Sequence, residues 1–297
     1  MSPPPAPEPS AARAADSARR PRSLTWASEL DLLALDAEVE RREDGYLVVR
    51  SPTNPGYYWG NLLLLDTAPR VGDGERWEAL FEAEFGADPR VRHRTFAWDR
   101  SDGELGAALE EFAPRGYVLE QTVGMVAPPW EVRAHPRANR DVVVRALEHT
   151  PGADAELWAQ VVELQVAGRD ERFPEDVHRE FRRKRLDELR ALFAARGGGW
   201  YVALDRHERE VLASGGVVAR ERLATIIDVD TAEAHRRRGI CSRLLVDAVA
   251  DVAREQPVER VVIGADPDYH ALGLYESLGF TAVERVAGVC RQPPADS

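Results

Sequence analysis

His235-Arg-Arg-Arg-Gly-Ile-Cys-Ser-Arg-Leu-Leu245 stands between an apolar run, Leu223 to Val229, and an amphipathic segment that continues to about Arg254. This order predicts a strand, a tight Arg/Gly loop and the start of a helix. Such a corner binds anions. The first turn of a helix has unpaired N–H groups, and the aligned peptide dipoles add partial positive charge there. Gly239 lacks a side chain, which predicts close approach of a phosphate to the backbone. Arg236, Arg237 and Arg238 add full charges. A diphosphate held here would lie at the end of a buried strand, with room for chemistry beside it.

Working outward, the chain of 297 residues is long enough for two domains, and its 44% hydrophobic and 30% charged residues are ordinary for a globular protein. The formal net charge of −12 argues against broad binding to nucleic acid or to an anionic membrane. Lys184 is the only lysine among 39 basic residues, a bias that reads as genome composition. Two cysteines, Cys241 and Cys290, make neither a disulfide framework nor a zinc site, and the histidines have no metal spacing. The cysteine usage fits a reducing cytoplasm best. Residues 1–25, rich in Pro, Ala, Ser and Arg, read as a disordered tail without the apolar core of a signal peptide.

Residues 26–127 predict one domain, 128–140 a proline-bearing linker and 141–292 a second domain. In the first, Tyr46–Arg50, Tyr57–Asp66, Val91–Trp98 and Tyr117–Val126 are strand-like, and Glu75–Phe85 and Glu104–Phe112 have helical spacing. The second opens with a strand at Val142–Arg145 and helices at Ala153–Ala167 and Pro174–Arg196. Strands at Trp200–Leu204, Val211–Ala219 and Leu223–Val229 follow, then a helix at Gly239–Arg254 and a strand at Arg260–Ala265. A short helix, Ala271–Leu278, and a last strand, Phe280–Cys290, close the order. Gly215-Gly216 inside a strand suggests a bulge or a close backbone approach, either structural or beside the acceptor. The halves echo each other: strand, Asp99, helix, Gly116-Tyr117, strand, Gly124-Met125 parallels strand, Asp266, helix, Gly279-Phe280, strand, Gly288-Val289.

The second half resembles the GCN5-related N-acetyltransferase (GNAT) superfamily. Its β-α-α-β-β-β-α-β-α-β order matches the whole mixed α/β fold, and the coenzyme A pyrophosphate motif Arg/Gln-x-x-Gly-x-Gly/Ala stands here as Arg236-x-x-Gly239-x-Cys241. Val229-x-Thr231-x-Glu233-x-His235 looks like the family's fourth strand and its loop. Ala271-x-x-x-Tyr275-x-x-x-Gly279-Phe280 looks like its last helix. The first half lacks the Arg/Gly loop and is similar in element order to a degenerate copy, so the chain reads as tandem GNAT folds. Asn54-Pro-Gly-Tyr-Tyr-Trp-Gly-Asn61 resembles a group of two-domain GNAT-like proteins.

The resemblance implies transfer of the acetyl group of acetyl-CoA to a primary amine of a small molecule or peptide, without a metal. The backbone of Arg237 to Ser242, including Ile240, would hold the diphosphate. The pantetheine arm would run along Asp228, Val229 and Asp230 towards Thr231, with the Val229 N–H polarising the thioester carbonyl. Tyr275 is the implied general acid for the leaving thiolate. Asp228 is the leading candidate base, with Asp230 and Asp266 as others; Asp266, where the family often has Asn, also fits cofactor orientation. A non-catalytic coenzyme A-binding regulator is the alternative, and a homodimer is left open. Several features read as structural. Arg182-Arg-Lys-Arg185 predicts a solvated helix face, Cys241 a packing role, and Trp59, Trp77 and Trp98 the first core.

Overall fold

The computed structural model describes residues 20–170, 173–268 and 271–293. Residues 1–19 of the expected tail, and two residues of the loop after Ala167, lie outside these. Residues 20–25, assigned to the tail from composition, belong to the fold. Ser23 caps a short helix, α1 (Leu24–Leu30), by accepting the Trp26 N–H on its side chain.

Four strands and two helices follow in the first half: β1 (Glu38–Arg42), β2 (Tyr46–Arg50), β3 (Leu62–Leu65), α2 (Asp73–Phe85), β4 (Arg94–Trp98) and α3 (Ala108–Phe112). Strand β5 (Val118–Ala127) completes that half. The second half is β6 (Val143–Ala146), α4 (Ala155–Ala167), α5 (Glu175–Arg196), β7 (Gly198–Leu204), β8 (Val211–Arg220), β9 (Leu223–Thr231), α6 (Ile240–Glu255), β10 (Arg260–Ala265), α7 (Ala271–Ser277) and β11 (Thr281–Arg291). The element order expected for residues 141–292 is the one observed.

Two departures in the first half have physical reasons. Strand β1, Glu-Val-Glu-Arg-Arg, carries the charge typical of a sheet edge, and its apolar periodicity is correspondingly weak. Residues 57–61, expected to begin a strand, form a tight turn. The Asn61 amide donates to the carbonyls of Asn54 and Tyr57, and its oxygen accepts the Ser51 N–H.

All eleven strands form one mixed sheet, in the order β1-β2-β3-β4-β11-β5-β10-β9-β8-β7-β6. Among the named strands of the described residues, only β3–β4 and β9–β10 pair in parallel. The two halves exchange their last strands. Strand β11, from the second half, pairs with β4 of the first, while β5 of the first pairs with β10 of the second. Strands β5 and β11 then pair with each other in the middle. The echo in the sequence is an echo in register: Gly124 faces Gly264, and Gly288 faces Ala97, the residue before Trp98-Asp99.

Alternation along the strands gives the sheet two buried faces. On the second half, Val217 and Ile226 pack with α6 and α7, whereas Val218 and Ile227 pack with α4 and α5. On the first, Leu63, Leu65, Phe96 and Trp98 meet Trp77, Phe81 and Phe112 of α2 and α3. Leu62, Leu64, Ala97 and Val286 meet Trp26 of α1. Phe96 and Phe112 are fully buried, each contributing roughly 1.5–3 kcal/mol. Trp77 and Trp98 are core residues as expected; Trp59 is only half-buried and lines a cavity.

Helix α1 is pinned across the exchanged strands. The Glu284 carboxylate of β11 accepts from the N–H groups of Leu24 (2.9 Å) and Thr25 (2.8 Å), and from the hydroxyls of Thr25 (2.8 Å) and Ser23 (3.1 Å). Asp99 accepts the N–H groups of Arg22 and Ser23. A Cβ on Gly124 would lie 2.0 Å from the Thr25 Oγ1, so only glycine in β5 lets α1 lie this close. Among the described residues, no helix is long and apolar enough to cross a membrane.

Candidate functional site

The parallel pairing of β9 and β10 runs from Leu223↔Arg260 to Ile226↔Ile263 and ends there. Beyond it β9 continues beside β8, and β10 beside β5. A slot therefore opens between strands that are neighbours one turn earlier. A bulge reinforces the divergence. Ile227 faces Gly216 and Asp230 faces Ser214, so Asp228 and Val229 share the single residue Gly215. Asp228 has φ +47, a left-handed backbone that the fold imposes on a non-glycine residue.

At the far end of β9 the chain turns through Glu233–His235 and enters α6. The Arg236 Nε donates to the Thr231 carbonyl (3.1 Å), tying the loop to the strand. Arg237 and Gly239 have φ +61 and +72. The first helical bond runs from the Arg243 N–H to the Gly239 carbonyl, so the amides of Ile240, Cys241 and Ser242 precede any intrahelical acceptor. The side chains of Arg236, Arg237 and Arg238 are exposed around them. This corner can hold an anion.

One detail of that corner differs from the sequence reading. Gly239 does not leave open space for a phosphate. Its Cα faces residues 137–139, and a Cβ there would lie 2.0 Å from the Arg137 carbonyl oxygen. Glycine is required by that packing and by the positive φ. Ser242 is buried, and its hydroxyl accepts the His135 N–H (3.2 Å), while the Ile240 side chain is in the core. Both can offer a ligand only their backbone. Burial pushes the Cys241 thiol up to about 12, outweighing a hydrogen bond with Thr231, so the packing role stands and a thiolate does not. Asp266 is exposed at the end of β10 and accepts the Asp268 N–H in a turn (2.8 Å).

Tyr275 is buried on α7 among residues of α6 and β10, its ring edge-on to Phe280 at 6.3 Å. Asp228 and Asp230 separate in role. Burial raises Asp228, but the guanidinium groups of Arg182 and Arg185 outweigh it and hold the carboxyl below the ordinary range; Arg182 bonds it at 2.9 Å. Asp228 is therefore a poor proton acceptor. Burial pushes Asp230 up to about 6, and its carboxylate lies against Gly168 at the C-terminal end of α4.

Next to Asp228 lies a cavity of about 460 Å³. Ile226, Ile227 and Gly264 bring both sides of the slot to its wall, so slot and cavity meet at the bulge. Most of the rest comes from the first half and from α5, with Phe173 from the segment before it. Tyr57, Tyr58 and Trp59 enter from the turn of the first half, Phe181, Arg182 and Arg185 from α5, and Glu29 from α1. The Arg182–Arg185 run is thus not a solvated face. Arg183 and Lys184 are exposed, but Arg185 is 4% exposed, donates to the Leu32 carbonyl and lies over the Tyr57 ring. The 182/185 spacing, one helical face, was the available signal. Three consecutive aromatic residues after Pro55-Gly56 were another. Among the described residues no cluster of His, Cys, Asp and Glu could hold a metal ion.

Residues 158–280 match the model of the acetyltransferase (GNAT) family. The chain thus carries a GNAT domain in its C-terminal half, in a fold shared by tandem GNAT proteins. A functionally unknown conserved protein from Staphylococcus epidermidis superposes with a TM-score of 0.66 at 13% identity, covering 87% of this chain and 95% of that one. A tandem GNAT protein from the clavulanic acid biosynthesis pathway gives 0.55 at 15% identity, covering 96% and 93%. A GCN5-related N-acetyltransferase from Kribbella flavida gives 0.55 at 12%, covering 88% and 90%. No curated protein matches the chain with significance.

Proposed function

We propose that the chain transfers the acetyl group of acetyl-CoA to a primary amine. The observation that carries this is the junction at Asp228. There the slot between β9 and β10, which leads to the anion-binding start of α6, opens into a cavity large enough for a small acceptor. The amides of Ile240 to Ser242, with Arg237 and Arg238 around them, hold the diphosphate. Arg236 fixes the loop to Thr231, and the pantetheine arm follows the free edge of β9 past Thr231 and Val229. The Val229 N–H polarises the thioester carbonyl; a positioned donor in a dry site lowers the barrier by roughly 3–4 kcal/mol. Tyr275 donates the proton that the leaving thiolate takes up. Asp228, paired with Arg182, keeps the bulge and α5 in place and contributes fixed charge.

The amine must lose a proton before it attacks, and the thioester must be held within reach of it. A screen of amines for acetyl-CoA-dependent release of free thiol tests the proposal, with mass spectrometry of the product and titration of acetyl-CoA alone. One coenzyme A bound per chain is expected, because the first half has no Arg/Gly loop. Tight cofactor binding with no thiol release across the library would replace the enzyme with a coenzyme A-binding regulator.

A further inference from the structure

The cavity's charges do not cancel. Arg182 is committed to Asp228, and Arg185 to Glu188 (3.3 Å) and the Leu32 carbonyl (2.8 Å). Glu29 is different. Its carboxylate lines the cavity, and among the described residues it makes no hydrogen bond or ion pair. A lone carboxylate in a half-closed pocket is costly to keep unless something cationic completes it. It is also well placed. A Cβ on Gly264, the first β10 residue past the end of the β9 pairing, would lie 4.0 Å from Glu29 Oε1. The carboxylate therefore stands at the mouth of the slot from which a thioester would emerge.

The walls around it are aromatic. Tyr57 packs against Phe181 with ring centroids 5.8 Å apart, and Trp59 against Trp26 at 5.9 Å. Tyr58 joins them from the same turn. Ring faces attract organic cations and bury flat apolar groups. A polyamine would bring several ammonium groups to a cavity whose Asp228 is already held by Arg182.

From this we infer that the cavity binds the acceptor as an arylalkylamine, whose ammonium pairs with Glu29 and gives that carboxylate its proton. The inference rests on the transferase reading for its chemical step. The ammonium passes one proton to Glu29, and the free amine forms the N–C bond at the thioester carbonyl. The tetrahedral adduct collapses as the C–S bond breaks, the sulfur keeping the electron pair. The nitrogen loses its second proton to solvent, the thiolate takes one from Tyr275, which regains it from solvent, and Glu29 returns the first proton to solvent, so that one proton is released per turnover. Burial pushes Glu29 up to about 7, partly offset by Arg185, which suits a group that must take and release a proton near neutrality. The charged or titratable groups that line the cavity with it are Arg185, Arg182 and His178 of α5, Asp228 of β9, Glu120 of β5, Cys290 of β11, and Tyr57 and Tyr58.

The test is calorimetric titration of phenethylamine, its neutral analogue phenethyl alcohol, and spermidine into wild type and Glu29→Gln. Acetyl-CoA is titrated separately, and kcat/KM is followed against pH. Phenethylamine should bind wild type best. Losing a charge-assisted pair should weaken it roughly 10- to 100-fold in Glu29→Gln and make amine and alcohol alike. Turnover of phenethylamine should show an acid limb in wild type that the Gln variant lacks. Equal binding of amine and alcohol to wild type, a preference for spermidine, or an unchanged Glu29→Gln would overturn the inference; the first two need no variant to fold. If acetyl-CoA binds and no arylalkylamine does, the acceptor assignment fails while the transferase stands. If the amine binds through Glu29 and acetyl-CoA does not bind, the transferase reading fails and takes the proton transfer with it.

Discussion

Replacing Glu284 with Gln should loosen α1 without unfolding the sheet. The helix has seven residues, too few to persist alone, so its place depends on what grips it. Glu284 accepts four hydrogen bonds there, three on one oxygen. An amide of the same shape keeps one acceptor oxygen and turns the other into a donor, which faces N–H groups it cannot bond. One buried backbone N–H left unsatisfied costs roughly 1–3 kcal/mol, and losing an anion at a helix start adds about 0.3–1 kcal/mol. The sum, about 1.3–4 kcal/mol, should raise amide exchange in Leu24–Leu30 roughly 10- to 700-fold relative to wild type. Exchange in β9 and α6 should change little, because neither touches Glu284. Because α1 carries Glu29, amine affinity should fall while acetyl-CoA affinity holds. Exchange in Leu24–Leu30 equal to wild type would refute the claim that this carboxylate anchors the helix.

Gly239→Ala should lower the unfolding free energy by more than about 2 kcal/mol in urea titration, since it adds a Cβ at the Arg137 carbonyl and strains a positive φ. Arg237→Glu with Arg238→Glu, both exposed, should instead leave stability alone and weaken acetyl-CoA binding about tenfold or more, and less at high salt. Tyr275→Phe should keep fold and cofactor affinity and slow single-turnover chemistry roughly 10²–10⁴-fold; a wild-type rate would return the ring to the core alone. Buried His93 donates through Nε2 to the Asn61 carbonyl, and burial depresses its pKa to about 4. The unfolded chain binds that proton first, so stability should drop as pH falls from about 6.5 to 4, by at most about 3 kcal/mol, and His93→Gln should remove that part of the slope in pH-dependent melting.

The second half was legible because its elements are periodic and its loop chemistry is local. Gly215-Gly216 marked the place of the bulge, although the extra residue lies opposite it in β9, and the Arg236–Cys241 stretch announced the turn into α6. What the residues could not show is which strand lies beside which. Strands β5 and β11 alternate like any others, and nothing in their composition names β10 or β4 as neighbours. The acceptor side was hidden for the same reason. Glu29 sits just after a stretch whose composition reads as disordered, and Arg182 and Arg185 look solvated until Asp228 and the Tyr57 ring are placed against them. The repeated Gly-Met and Gly-Val pairs did carry the duplication, because a strand crossing under a helix or a tryptophan needs a bare backbone: Gly124 beneath Thr25, Gly288 beneath Trp59.

The exchange of last strands sets an order of events on the ribosome. Strand β4 is made early, yet its partner β11 is the last strand of the sheet to leave the exit tunnel. Until then the first half carries a long open edge at β4, and β5 waits for both β10 and β11. Nascent chains of this kind expose unpaired strand edges for most of their synthesis, and such edges recruit neighbouring copies. Slowed translation of the final segment, or truncation before Thr281, should therefore reveal itself first as dependence on chaperones and as aggregates seeded through the N-terminal half, the half farthest in sequence from the missing residues.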